Sequence, residues 1–96
     1  MDQLKVIQHK DHSNLFDIQF NPEAREDLGE IYTYIPKVRI NQLVDNNQVL
    51  VSLETSRCMS VIRAPFKGKI ILIERSFIEN PCDIKDETLF IIEKRL

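Results

Sequence analysis

The sequence predicts a mainly β fold with one short helix, and three observations support this. Apolar and polar residues alternate with period two over several short runs, such as residues 16–20, as in half-buried strands. Residues that favour turns separate these runs at short intervals. A single helix signal interrupts them near residues 22–28. The 96 residues fit one domain, 1–96, with a modest core.

The chain opens with a predicted hairpin. Residues 4–8 form a short mixed run, and residues 16–20 alternate apolar and polar side chains. Segment 11–14 between them reads Asp-His-Ser-Asn, which is typical of a turn. The first two strands are therefore expected to be antiparallel neighbours.

The helix signal begins at Asn21 and Pro22. An Asn side chain can cap free backbone amides, and proline fits the first helical turn. Ala24 and Leu28 lie four residues apart and are expected to share the buried face. Gly29 can adopt a positive φ, so it predicts the end of the helix.

After Gly29 the pattern becomes β again. Ile31, Thr33 and Ile35 are expected to face one side of a strand that Pro36 ends, because proline has no amide proton to donate. Further strands are predicted within residues 38–44, 49–53, 61–64, 70–73 and 89–93. Residues 77–81 are expected to form a loop with apolar anchors.

A weak internal repeat runs through this β region. Pro36 and Pro65 each follow the first strand of a three-strand group. Such self-similarity favours two similar halves packed face to face. The two groups share little sequence, and any small sandwich or barrel would give a similar pattern.

Composition excludes several classes of function. A net charge of -2 argues against a general nucleic-acid binder, because binding phosphate backbones needs clustered Lys and Arg. No apolar run is long enough to span a bilayer, so no membrane association is expected. Residues 1–5 resemble neither a secretory signal nor a transit peptide, which predicts a cytoplasmic protein. Cys58 and Cys82 are interpreted as free thiols, although pairing between them stays open.

The sequence offers no catalytic or metal-binding set. His9, Asp11 and His12 lie close together, but two histidines without a third ordered ligand indicate a solvated loop. The acidic residues between 74 and 86 are expected to form a solvated face, because nothing in the sequence pairs them. With only two glycines there is no glycine-rich phosphate loop. We therefore expect a protein without enzymatic activity.

The candidate functional site is a hairpin within residues 54–70. A polar tip lies between apolar runs, and an Ala-Pro-x-x-Gly break at residues 64–68 follows, which predicts two strands and a turn. Arg57 lies at the tip.

Five segments, in order, resemble the H protein of the glycine cleavage system. Residues 20–31 resemble that family's Ile-Thr-x-x-Ala-x-x-x-Leu-Gly-Asp-Ile segment, and residues 35–38 its Leu-Pro-x-Val. Residues 54–60, Glu-Thr-Ser-Arg-Cys-Met-Ser, resemble its Glu-Ser-x-Lys-Ala-x-Ser hairpin. Residues 64–68 resemble its Ser-Pro-x-x-Gly. Residues 79–81 with 89–90 resemble its Asn-Pro loop and Trp-Leu-Phe strand.

The resemblance implies a lipoyl-domain-like barrel-sandwich hybrid of two antiparallel sheets, with a lipoyl lysine at an exposed hairpin tip. In the family, the lipoyl arm accepts an aminomethyl group from a pyridoxal-phosphate decarboxylase and passes it to a folate-dependent aminomethyltransferase. Dihydrolipoyl dehydrogenase then reoxidises the arm. The partners implied are therefore proteins of glycine cleavage or lipoate metabolism.

This chain departs from the family at the lysine, where it has Arg57. Lipoylation needs a primary amine that can lose its proton, whereas a guanidinium stays protonated. Arg57 is therefore the cofactor position of the family but is predicted to be unmodified, and no cofactor is expected. The family's aromatic opening segment and its C-terminal helix are also not recognisable in this sequence.

Two interpretations of the tip remain open. Arg57 can be a solvated charge, or it can contact a carboxylate on a partner protein, which makes Glu54, Arg57 and Cys58 the candidate partner contacts. Whether Cys58 is exposed stays open. Free cysteines are most often small buried residues, which argues against a reactive thiol. A thiol activated by its positive neighbour is the alternative.

The main functional hypothesis is thus an H-protein-like domain without the lipoyl lysine that acts as a non-catalytic protein-binding module. The alternative is a true lipoyl carrier of glycine cleavage or of a lipoate relay. That alternative requires Arg57 to be an engineered replacement, or attachment elsewhere, for which Lys67 and Lys69 are the nearest lysines. A biotinyl-type relative ranks third, because its hairpin has Met on both sides of the lysine, where Ser56 and Cys58 stand here.

Overall fold

The computed structural model describes residues 4–80 and 88–95. In this part of the chain eight strands and two helices follow one another. Their bounds are β1 Leu4–Gln8, β2 Leu15–Phe20, α1 Pro22–Leu28, β3 Ile31–Pro36, β4 Leu43–Val44, β5 Val49–Thr55, β6 Met59–Arg63, β7 Gly68–Ile73, α2 Ser76–Glu79 and β8 Phe90–Lys94.

The strands form two antiparallel sheets. The larger sheet has the order β1-β2-β8-β7-β4, and the smaller has the order β3-β5-β6. Adjacent strands pair antiparallel throughout. The predicted mainly β class, the opening hairpin and the two antiparallel sheets are confirmed. The closing strand β8 lies between β2 and β7, so it joins the opening hairpin to the rest of the large sheet.

One cluster of buried apolar side chains forms the core. It draws on both sheets, with Ile18, Ile70 and Ile92 from the large sheet and Leu53 and Ile62 from the small one, all at most 1% exposed. Burying this apolar surface is the main favourable contribution to folding. The core therefore fixes the two sheets against each other and leaves their edges and the hairpin tips at the surface.

Helix α1 follows its sequence signals closely. The Asn21 side chain accepts a hydrogen bond from the Glu23 amide at 3.0 Å, and proline occupies the first turn. Ala24 and Leu28 are both buried, at 4% and 6% exposure, as the four-residue spacing predicts. Gly29 has φ 78° and ψ −157°, a conformation open essentially only to glycine, so it ends the helix as expected.

Strand β3 does not alternate as the sequence predicts. Ile31 is buried, whereas Thr33 and Ile35 are exposed, so the three do not share one face. The cause is a register shift against β5: Ile31 pairs with Thr55 and Thr33 with the adjacent Glu54, which leaves the intervening residue of β3 as a bulge. A bulge inserts one residue into a strand and reverses the side-chain alternation beyond it.

The internal repeat does not divide the molecule into two halves. The first group supplies β3 and β5 to the small sheet but β4 to the large one. The second group supplies β6 to the small sheet and β7 and β8 to the large one. Each group therefore crosses between the sheets, and the expectation of two similar halves packed face to face is wrong in this respect.

Two connections also differ from the prediction. Within residues 38–44 only Leu43–Val44 pairs as a strand. Residues 76–79 form the single helical turn α2, where a loop was expected. Among the described residues no helix is long and apolar enough to cross a membrane.

Candidate functional site

The predicted functional hairpin is formed by β5 and β6, and its tip is a two-residue loop, Ser56-Arg57. The Thr55 amide donates to the Cys58 carbonyl at 2.9 Å and closes the loop. Such short loops fix the register of the flanking strands. The structure therefore places Arg57 at the exposed tip of a tight hairpin, where the sequence predicted it.

The buried Thr55 side chain holds the backbone of this tip in place through hydrogen bonds. Its hydroxyl oxygen accepts hydrogen bonds from the Arg57 amide at 3.2 Å and the Cys58 amide at 3.1 Å. The hydroxyl also lies 3.0 Å from the Cys58 carbonyl, to which it donates. Thr55 is 6% exposed and is the only buried polar residue in the described part of the chain. Its side chain thus replaces solvent for backbone groups that the turn leaves unpaired.

The tip is held against the segment that follows α1. The Ser56 amide donates to the Glu30 carbonyl at 2.8 Å, and the Ser56 Oγ accepts from the Glu30 amide at 3.1 Å. These two bonds connect residues that lie 26 positions apart. The hairpin loop is consequently part of a joined surface with α1 rather than a free projection.

Arg57 extends this joint with its side chain. Its Nη1 donates to the Asp27 carbonyl oxygen in the last turn of α1 at 3.2 Å. The side chain crosses Gly29, and a Cβ at that glycine would lie 3.3 Å from both Cγ and Nε of Arg57. The last carbonyls of a helix lack partners within the helix and carry partial negative charge, so a guanidinium is a favourable cap.

Arg25 completes the cap from within the helix. Its Nη1 donates to the Gly29 carbonyl oxygen at 2.6 Å, and the Gly29 amide donates to the Glu26 carbonyl at 3.2 Å. Two guanidinium groups therefore serve the carbonyl end of α1, one from the helix and one from the hairpin tip.

The surface around this joint is acidic. Glu26, Asp27, Glu30 and Glu54 are all exposed. The Glu54 carboxylate has no hydrogen-bond or ion-pair partner among the described residues. Glu54 and Arg57 are thus three positions apart on the same hairpin, but Arg57 is directed to a helix end and Glu54 is available to solvent.

Cys58 is exposed, which answers a question that the sequence left open. The tight turn encloses no space that could bury the Cys58 side chain, and the Cys58 Sγ lies 3.8 Å from the Thr55 hydroxyl. Its neighbour Met59 is 77% exposed. Pairing of Cys58 with Cys82 concerns a residue outside the described part of the chain.

The remaining candidates lie away from the tip. His9 Nε2 bonds Asp17 Oδ1, and Thr88 donates to Asp17 Oδ2 at 3.1 Å, so His9 belongs to a network that ties the β1–β2 hairpin to the segment before β8. No three metal-ligating side chains come together in residues 4–80 and 88–95. Lys67 is exposed in the turn before β7, and Lys69 is half-buried opposite Glu93.

Two residues that hold the tip in place, Thr55 and Asp27, were not predicted as site residues. Thr55 carried a signal, because a Thr just before a two-residue loop can bond the turn backbone. The Asp27 carbonyl carried none, since a backbone atom 30 positions from Arg57 leaves no trace in residue type.

Two antiparallel sheets enclosing one core, with a tight exposed hairpin between β5 and β6, define the class of lipoyl-domain-like barrel-sandwich hybrids. Fourteen chains of solved structures match this fold. One is a glycine cleavage system H protein from Mycobacterium marinum, with a TM-score of 0.74 and 15% identity, covering 98% of this chain and 86% of that one. At this identity the similarity shows the fold.

The sequence comparisons add no family. No protein-family model matches the chain, and no curated protein is a significant match.

Proposed function

We propose that this chain is a carrier-type domain without lipoate that acts as a non-catalytic, cytoplasmic protein-binding module. The observation that carries the proposal is the position of Arg57. It lies at the exposed tip of the β5–β6 hairpin, whose sequence resembles a lipoyl-attachment hairpin, and its guanidinium bonds the Asp27 carbonyl.

The chemistry of the tip does not fit a lipoyl group. Attachment to a carrier domain forms an amide with a primary amine, and the amine must lose its proton to attack an activated acyl group. A guanidinium stays protonated at any accessible pH, and its nitrogen lone pairs are delocalised. Arg57 has also a second role, as the cap of α1, that keeps its stem folded back over Gly29.

The same geometry supports binding through the tip. Hydrogen bonds of Thr55 with the turn backbone and of Ser56 with Glu30 hold the loop in one conformation. Binding of a partner to the loop therefore costs little conformational entropy. Glu54 and Cys58 are exposed beside Arg57, and Arg57 keeps further N–H donors for a partner carboxylate. The candidate contacts are therefore Glu54, Arg57 and Cys58.

The experiment compares immobilised wild-type protein with two variants in capture from a native lysate. E54K and C58S change the tip without removing the Arg57–Asp27 bond, and R39A is a matched control on an exposed arginine away from the tip. We expect a protein that is retained by wild type and R39A and lost from a tip variant. Retention by all four, or by none, would contradict binding through the tip.

A true carrier with its lipoyl group elsewhere is the second candidate, favoured by the shared fold and by the exposure of Lys67 in the turn before β7. It predicts a lipoyl mass gain that K67R or K69R abolishes. Such a gain would replace the first proposal, whereas an unchanged mass in the presence of an active lipoate ligase removes the second.

A further inference from the structure

The outer face of the small sheet is open to solvent over most of its area. Strand pairing sets six of its side chains in two adjacent rows across the three strands, namely Thr33, Glu54 and Met59, and then Ile35, Ser52 and Val61. None of the six is buried. These six side chains, together with Lys37 and Arg63 beyond them, are called the outer face.

The apolar side chains of the outer face lie on its two edge strands, on either side of Glu54 and Ser52 in the central strand β5. On β3 Ile35 is 49% exposed, and on β6 Met59 is 77% exposed and Val61 is half-buried. Tyr32, which the bulge places beside Thr33, is 53% exposed. Burial of adjoining apolar side chains of this kind is favourable, and their grouping on one face suits a contact.

Charges of opposite sign lie at the two ends of this face. At the hairpin end is Glu54, whose carboxylate has no partner among the described residues. At the other end are Arg63, the last residue of β6, and Lys37, which directly follows β3 and whose amide donates to the Leu50 carbonyl at 2.8 Å. Both are exposed. Arg63 uses one guanidinium nitrogen for the Asn47 carbonyl at 3.0 Å and retains other donors.

This charge order selects one way of pairing two copies face to face. A two-fold axis parallel to the strands would bring Glu54 onto Glu54. A two-fold axis that lies between the two sheets and runs across the strands makes the strands of the two copies antiparallel. Glu54 of each copy then lies opposite the space between Lys37 and Arg63 of the other copy. Isologous interfaces must be self-complementary, and the outer face is self-complementary only in the second arrangement.

We propose that the outer face of the small sheet is a homodimer interface in which two copies pack with their strands antiparallel. The contact is small, because it spans three strands about 4.8 Å apart and about five residues along each strand, at about 3.4 Å per residue. Interfaces of this size are below the standard range, so the dimer is weak, with a dissociation constant of about 0.1 to 1 mM. The proposal does not depend on what the hairpin tip binds.

Sedimentation equilibrium on the full chain between about 20 µM and 1 mM tests this, the range being set by the expected affinity. The weight-average mass is expected to rise from that of the 11.3 kDa monomer towards the dimer. E54R, which places like charges together, is expected to weaken association about tenfold or more. I35R, which places a charge among the apolar side chains of β3, is expected to abolish it.

The decisive variant is the full inversion E54R/K37E/R63E, which restores opposite charges only across the antiparallel two-fold axis. We expect it to recover association to within about threefold of wild type. D11R, an equal charge change in the β1–β2 turn, is the control and should associate like wild type. A monomer at every concentration, association that E54R and I35R leave unchanged, or an inversion that does not recover would each overturn the proposal. The single variant R63E changes a residue outside the tip. If R63E loses self-association but still captures the partner protein that depends on the tip, the dimer interface and the proposed function are shown to be separate.

Discussion

Arg57 Nη1 lies 3.2 Å from the backbone oxygen of Asp27, so the residue at the hairpin tip caps a helix through a carbonyl 30 positions earlier in the chain. The Arg57 side chain is part of the fold, because it satisfies a carbonyl at the end of α1.

Removing this cap should destabilise the protein modestly. R57A loses one hydrogen bond and a favourable charge at a helix end, so we expect the free energy of unfolding to fall by about 0.5 to 1.5 kcal/mol. R57K keeps a positive charge and the stem over Gly29, and should lose less. Urea denaturation measures both, with R39A as the control, which should change stability by less than about 0.5 kcal/mol. An R57A protein as stable as wild type would show that the bond does not cap α1.

Gly29 should tolerate no side chain. A Cβ there would lie 2.5 Å from the Ser56 Oγ, and the residue has φ 78°. We expect G29A to lower the free energy of unfolding by about 2 kcal/mol or more, from backbone strain and from the clash. The double variant G29A/S56A removes the clashing oxygen and should be less destabilised than the sum of the two single variants. Strict additivity would contradict the close approach of the tip to α1.

Thr55 should be required for its hydroxyl rather than for its volume. T55V leaves the Arg57 and Cys58 amides without their acceptor, which should cost about 1 to 3 kcal/mol in urea denaturation. T55S retains the hydroxyl and should be less affected. The same Thr-to-Val change at exposed Thr33 is the control, and an equal loss there would show that the hydroxyl of Thr55 has no special role.

Tyr34 should make stability fall at high pH. Burial raises the pKa of its hydroxyl, and the nearby Glu74 carboxylate raises it further. The unfolded chain therefore loses this proton from about pH 10, whereas the folded protein keeps it, so the unfolded state binds fewer protons there. Stability then decreases as pH rises above about 10, by up to about 1.4 kcal/mol per pH unit from this group.

Urea denaturation between about pH 8 and 11 isolates this contribution, because the other ionisable groups are common to the variants compared. Y34F should flatten the decrease, and Y32F, at a tyrosine that is 53% exposed, should not. Equal pH profiles for Y34F and wild type would contradict the assignment.

Local features of this fold could be predicted from sequence and non-local ones could not. The helix α1 follows from Asn21, Pro22 and Gly29, which act within a few residues of one another. The bulge in β3 depends on how Ile31 and Thr33 register with β5, more than 20 residues away, so period two misassigned it. For the same reason the position of β8 inside the large sheet had no signal in the segment itself.

The candidate site shows the same division. The polar hairpin tip with Arg57 was predictable, because its polar residues interrupt two apolar runs. The contact of Arg57 with Asp27 was not, because an arginine at a tip is usually a solvated charge and a backbone carbonyl has no sequence signature. Likewise the exposure of Cys58 follows from the tightness of the loop, which only the hydrogen bonds of Thr55 reveal.

Intact-mass spectrometry of the full chain, produced with an active lipoate ligase and free lipoate, tests the central claim most directly. A bona fide H protein treated in parallel shows that the ligase is active. We expect an unchanged mass for wild type, because the Arg57 side chain offers no primary amine and caps α1 instead. A gain of one lipoyl group on the wild-type chain would contradict it.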